Sequence, residues 1–189
     1  MKILKQNEGD AWFMFRNGDN SMFSAIYSEY SRKLYQYGLK FTRNRILIED
    51  SIQDLFFELL KNRKTIGPTD NILRYLLKSF RNKLLRRLKQ EQRYDLKNES
   101  EEYAFEVLYS FEHELILHEE ADFNLKVLRK SMLCLTPRQK EAIYLKYTNG
   151  LKYEEVSEIM EMNLESCRNL ICRAIKALRE AVEGMRHKI

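Results

Sequence analysis

Proline and glycine are scarce in this chain, with 2 Pro and 6 Gly in 189 residues. Both interrupt regular structure, so their scarcity points to long helices and few tight turns. Long apolar runs are missing as well. None approaches the roughly 20 residues a helix needs to span a bilayer. The opening stretch, MKILKQNEGDAWF, has no apolar core followed by a small-residue cleavage site. A cytoplasmic protein is therefore expected. Cysteine and histidine number 3 each. Cys134, Cys167 and Cys172 lack metal-ligand spacing, and His113, His118 and His187 form no cluster, so no metal and no cofactor are expected. Cys134 and Cys167 sit among apolar residues and read as small core side chains in a reducing compartment. There is no Gly-rich nucleotide loop, no pair of carboxylates in a plausible cleft and no Cys/His nucleophile arrangement. Neither an enzyme nor a small-molecule substrate is expected.

What the chain does have is apolar residues at helical spacing and charge in blocks. A hydrophobic share of 44% and an aromatic share of 12% support packed cores. The net charge of +5 is spread unevenly. Residues 1 to 97 carry 20 Lys/Arg against 11 Asp/Glu, and residues 126 to 189 carry 13 against 8. Between them, residues 98 to 125 carry 9 Asp/Glu and no Lys or Arg. Two basic lobes joined by an acidic segment suggest two modules that each meet a polyanion. The alternative is that the acidic segment neutralises the lobes within one fold.

Periodicity places a helix from near Trp12, a turn and cap at Gly18-Asp19-Asn20-Ser21, and a long helix from Met22 with Phe23, Ile26, Tyr27, Tyr30, Leu34, Tyr37 and Phe41 along one side. The next helix, about Ile46 to Lys61, turns Ile48, Ile52, Leu55, Phe56 and Leu59 inward. It gathers Asp50, Gln53, Asp54, Phe57 and Glu58 opposite. An acidic face with an unburied aromatic suits a protein contact, unless Phe57 folds under a neighbouring loop. After a loop, Asp70 can cap a helix running from Asn71 to about Gln90. Its core side takes Leu73, Leu76, Leu77, Phe80, Leu84 and Leu88. Its other side takes Arg74, Tyr75, Lys78, Arg81, Asn82, Arg86 and Lys89. Cations with a ring among them fit a nucleic-acid strand, or they form an ordinary solvated face. Arg87 falls on the apolar side of a regular helix, which predicts a bend or an end near it.

Gln90 to Glu102 is a polar connector, and Tyr103 to Glu120 alternates acids with large apolar residues. A helix over Ala121 to Cys134 turns Phe123, Val127, Leu128 and Met132 inward. Thr136, Pro137 and Gln139 form a cap, first-turn proline and capping box, and that helix ends near Asn149-Gly150. Lys152 to Arg179 then reads as two helices broken at Glu161-Met162-Asn163, with Asn163 capping the second. Its front presents Glu165, Ser166, Arg168, Asn169, Arg173 and Lys176. An apolar back with a basic, amide-bearing front is the shape that enters a major groove, and it is also the shape of a plain helical hairpin.

In this order the pieces resemble a small two-domain sigma factor of bacterial RNA polymerase, of the extracytoplasmic-function type in the sigma-70 family. GDNSMFSAIYSEYSRKLYQYGLKFTRNRILIEDSIQDLFFELLKNR and NILRYLLKSFRNKLLRRLKQ look like sigma region 2. LTPRQKEAIYLKYTNGLKYEEVSEIMEMNLESCRNLICRAIKALRE looks like sigma region 4. The resemblance implies an all-α protein: a region 2-like domain over residues 1–95, an acidic linker over 96–120, and a region 4-like helix-turn-helix domain over 121–189. It implies core polymerase binding by Asp50, Gln53, Asp54, Phe57 and Glu58. It implies minus-10 recognition and melting by Tyr75, Lys78, Arg81, Asn82, Arg86, Arg87 and Lys89, with a base pocket near Arg87 to Tyr94. Minus-35 recognition falls to Glu165, Ser166, Arg168, Asn169, Arg173 and Lys176. The implied partners are core RNA polymerase, promoter DNA and, as is frequent in the family, an anti-sigma factor, usually at the membrane. The competing reading is a stand-alone helix-turn-helix regulator, since LTPRQKEAIYLKYTNG is also similar to response-regulator output domains.

Two departures from the family pattern stand out. Glu161 occupies the turn position where the family often has Gly, and Lys152 stands where many relatives cap with Ser or Thr. The first predicts local strain, because an αL position costs a non-Gly residue about 1 kcal/mol or more.

Overall fold

The computed structural model describes residues 7–94, 104–106, 127 and 129–186. The chain divides into two compact units, Met1–Glu101 and Glu102–Ile189. Among the described residues there is no strand.

Among the described residues, unit 1 has four helices: α1 (Glu8–Arg16), α2 (Asn20–Gly38), α3 (Arg45–Lys61) and α4 (Ile72–Tyr94). Local chemistry starts each of them. Asn7 accepts from the Asp10 N–H and opens α1, four residues before the start read from Trp12. At the head of α2, Asp19 accepts from the Ser21 hydroxyl and from the Met22 and Ser21 N–H groups, which lowers its carboxyl below the ordinary value. Asn44 accepts from Leu47 N–H at the head of α3. At the head of α4 the cap is Asn71, which accepts from Arg74 N–H at 2.9 Å. Asp70 instead pairs with the Arg74 guanidinium and is almost wholly exposed.

The core of this unit buries Trp12, Phe15, Ile26, Leu34, Tyr37, Ile48, Leu76, Leu77, Phe80 and Leu84. Gly38 lets α2 cross α3 and α4 closely: a Cβ there would lie 2.8 Å from Ile48 Cγ2 and 3.1 Å from the Phe80 ring. Tyr27, read as a core residue, is half exposed and meets Phe56 edge-on at 4.8 Å. The α1 helix is tied to the loop before α4, because Trp12 Nε1 donates to the Gly67 carbonyl at 2.9 Å.

In unit 2, residues 127 and 129–132 are helical where described, with Val127 and Met132 buried. Phe123 and Leu128 lie outside the described residues, as does most of the acidic stretch. Within that stretch Phe105 is buried and meets the Tyr144 ring at 5.9 Å, so one of its large apolar residues is anchored in this unit. Helix α5 (Pro137–Ile143) starts at the Thr136–Gln139 capping box and continues as a π-helical turn over Tyr144–Thr148. Then follow α6 (Tyr153–Ile159) and α7 (Leu164–Arg186). Val156, Ile159, Met160, Cys167 and Ile171 are buried, and Ala174 is buried against Met132 and Leu135. Cys134 is exposed, contrary to its reading as a core residue, and donates to the Ser131 carbonyl. It follows the end of its helical segment, where the apolar pattern no longer dictates burial.

Candidate nucleic-acid and protein interfaces

Helix α3 has one buried and one open side. Leu47, Ile48, Ile52, Leu55, Phe56 and Leu59 are buried. Steps of three and four residues align Ile46, Asp50, Gln53, Phe57 and Leu60 on the opposite side, all exposed. Phe57 is 67% exposed and Ile46 71%, so no loop among the described residues covers Phe57. Ile46 and Leu60 were missed in the sequence, although their spacing from Asp50 and Phe57 would have found them. Asp54 and Glu58 stand at the edge of this stripe and are engaged. Arg87 Nη2 pairs with the Asp54 carboxylate, and Lys83 Nζ donates to Glu58 at 2.7 Å. Apolar anchors around Asp50 and Gln53, with Asp54 and Glu58 at the edge, suit a protein partner with an apolar, basic surface.

Helix α4 runs unbroken past Arg87 to Tyr94. The helix does not end near Arg87, which, on the core-facing line behind Phe80 and Leu84, reaches the edge of α3 and meets Asp54 there. Lys78, Arg86 and Lys89 are exposed, and Asn82 is half-buried. Arg81 is not on this open side. At about 100° per residue it lies within about 40° of Leu77, and it is only 6% exposed. Tyr75 is half-buried, with its ring 4.9 Å from that of Trp12. Burial pushes its phenol above the ordinary value. The side chains of residues 92–94, part of the expected base pocket, lie outside the described residues. A cleft of about 450 Å³ opens elsewhere, between α1 and the loop before α4, lined by Gly9, Trp12, Phe13, Arg16, Pro68, Thr69, Asp70 and Arg74. The exposed Phe13 ring beside Arg16 suits a planar group, while the Asp70 carboxylate pairs with the Arg74 guanidinium at 3.5 Å.

In unit 2, α6, a short turn and α7 form a helix-turn-helix. Glu161 in the turn has φ +52°, the one described non-Gly residue with positive φ. The strain expected at this position is therefore real. Lys152 provides no side-chain cap. The head of α6 is held instead by Glu155, which accepts from the Lys152 N–H at 2.7 Å. Asn163 accepts from the Ser166 N–H at 2.7 Å and opens α7. Glu165, Ser166, Arg168, Asn169, Arg173 and Lys176 are all exposed on the open side of α7, together with Cys172. Among the described residues no group of three or more His, Cys, Asp or Glu could hold a metal ion. No helix among them is long and apolar enough to cross a membrane.

A four-helix unit with an acidic, aromatic stripe and a second unit carrying an exposed recognition helix define a helical DNA-binding protein that also meets a protein partner. Sigma-70 region 2 matches residues 26–94, and Sigma-70, region 4 matches residues 125–178. Together they span well over half of the chain. The chain belongs to the sigma-70 family, in the extracytoplasmic-function type. It is a sigma factor, which binds core RNA polymerase and directs transcription from promoter DNA. The presence of region 2 beside region 4 favours this over a stand-alone regulator. Sigma factors are non-enzymatic DNA-binding regulators of transcription. No curated protein sequence matches the chain significantly.

Solved structures are similar in fold. CnrH in complex with the cytosolic domain of CnrY matches at 15% identity and TM-score 0.59, over 93% of this chain and 97% of that one. The sigma factor RpoE in complex with the anti-sigma factor NepR, from Bartonella quintana, matches at 17% identity and TM-score 0.61. That match covers 85% of this chain and 96% of the other.

Proposed function

We propose that the two units divide the work of the sigma factor. The α3 stripe of Asp50, Gln53 and Phe57, extended by Ile46 and Leu60, docks on core polymerase, with Asp54 and Glu58 at its edge. The open side of α4, with Lys78, Arg86 and Lys89, follows the minus-10 strand, and Asn82 and Arg87 border it. Arg81 and Tyr75 hold that helix in place from inside. An extruded base, whose unstacking costs a few kcal/mol, is received in the cleft beside Trp12, Phe13, Arg16 and Arg74. Helix α7 reads the minus-35 element, with Arg168 and Asn169 on base edges and Arg173 and Lys176 on phosphates. Glu165 and Ser166 border the groove at its N-terminus. Residues 96–120 form an acidic linker whose Phe105 packs on the second unit. The protein has no catalytic activity of its own and works in the cytoplasm. An anti-sigma protein holds it inactive; the similar sigma factor RpoE is seen in complex with the anti-sigma factor NepR.

The observation that carries this reading is Phe57, two-thirds exposed in the middle of an acidic helix face. A large ring left in water without a local role is best explained by a partner that buries it. The test is the affinity of the full chain for core enzyme. Phe57→Ala should weaken it about tenfold, with the Trp12 fluorescence unfolding curve unchanged. Unaltered core affinity would overturn the assignment of α3.

A further inference from the structure

The N-terminal turn of α6 reaches the recognition helix. Glu154 Oε1 accepts from Arg168 Nη2 at 3.3 Å. The Arg168 guanidinium also lies 6.0 Å from the centre of the Tyr153 ring. That ring is itself held: Lys146 Nζ stands 4.6 Å from its centre and donates to the Leu151 carbonyl at 3.1 Å. Arg168 therefore leaves α7 sideways, with one edge of its planar fork occupied by a carboxylate and one side near an aromatic ring.

Both charges are more than half exposed, at 58% and 54%. Exposed pairs of this kind add little to stability, because solvent screens them and two long side chains must be ordered. What the pair does fix is direction. A guanidinium has five N–H donors in a rigid plane. With one Nη engaged by Glu154, donors remain for a bidentate contact to an acceptor pair such as guanine O6 and N7. A free arginine at the same place would swing to the nearest phosphate, which carries no sequence information.

We infer that Glu154 is a positioning residue for base readout. By holding Arg168 off the phosphates and aiming its free edge into the groove, it sets sequence preference at one upstream base pair, with Tyr153 as the backing surface. This rests on the reading of α7 as the minus-35 helix. Three features follow. The carboxylate repels the DNA backbone, so it lowers affinity for all sequences while sharpening one position. Its effect is transmitted wholly through Arg168. A neutral side chain of the same length with an acceptor oxygen keeps most of the preference.

The experiment uses the full chain with core polymerase on a promoter library randomised across the upstream element, comparing wild type, Glu154→Ala, Glu154→Gln, Arg168→Ala, Lys176→Ala and the double variant Glu154→Ala/Arg168→Ala. Arg168→Ala should remove a preference of about tenfold at one base pair, whereas Lys176→Ala should weaken all sequences alike. Glu154→Ala should reduce the preference at the same base pair severalfold, Glu154→Gln should retain it, and the double variant should match Arg168→Ala. If Glu154→Ala left that preference intact, or still changed it in the Arg168→Ala background, the positioning role would be overturned. If Arg168→Ala changed preference at no position, the reading of α7 itself would fail, and the inference with it.

Discussion

The Glu8 carboxylate, in the first turn of α1, accepts from the Ile72 backbone N–H at 2.7 Å, 64 residues further along the chain. Its other oxygen accepts from the Tyr30 hydroxyl on α2 at 2.8 Å. One side chain thus caps α4 and ties it to α1 and α2. A helix head leaves its first N–H groups without intrahelical partners. Here one of them is satisfied from a distant element, close to the cleft beside the loop.

Glu8→Ala should destabilise unit 1 by about 1–3 kcal/mol, because it leaves a peptide N–H and a phenol without their acceptor. Urea unfolding followed by Trp12 fluorescence measures this cleanly, since Trp12 is the only tryptophan and is buried in that unit. An unfolding midpoint equal to wild type would mean that water replaces the carboxylate at no cost.

The same arrangement makes unit 1 sensitive to alkali. Burial first, and then the Glu8 carboxylate, push the Tyr30 phenol far above its ordinary value, and burial raises Tyr75 as well. The unfolded chain releases these protons near pH 10 while the native state keeps them, so the unfolded state binds fewer protons and stability falls as pH rises. The contribution is intact below about pH 10 and declines above it. Unfolding by far-ultraviolet circular dichroism should show a lower urea midpoint at about pH 11 than at about pH 9. Tyr30→Phe should flatten that dependence, and an unchanged slope in this variant would contradict it.

Glu161 carries the strain of the helix-turn-helix turn at φ +52°. Glu161→Gly should relieve an αL penalty of about 1 kcal/mol, offset in part by the greater freedom of glycine in the unfolded chain. A net gain of a few tenths to about 1 kcal/mol is expected for unit 2, and Glu161→Val should lose stability. Thermal unfolding of the two variants decides it. A less stable Gly variant would show that the contacts of the Glu161 side chain outweigh the backbone strain.

Much of this was legible in the sequence where the controlling interactions are local. The Thr136, Pro137 and Gln139 start, the Asp19 and Asn163 caps, and the strained place at Glu161 all depend on neighbours within three or four residues. So does the division of α3 into a buried and an open side. The failures belong to contacts between elements. Arg87 looked like the end of a helix because a cation on an apolar line has no local partner, and Asp54 stands on another helix. Asp70 looked like a cap until Asn71 took that role with help from Glu8. Arg81 was placed on the basic side by its chemistry, although its angle to Leu77 is that of a core residue. Lys78, Arg86 and Lys89, by contrast, lie where the wheel put them.

The most direct test of the central claim is transcription by active core polymerase on a genome-derived template pool, with and without the full chain. New start sites that depend on the added protein and share two upstream elements at a fixed spacing are expected. The Phe57→Ala variant should need a higher concentration to reach the same output. Absence of any protein-dependent start site, with a control sigma factor active on the same core, would contradict the account.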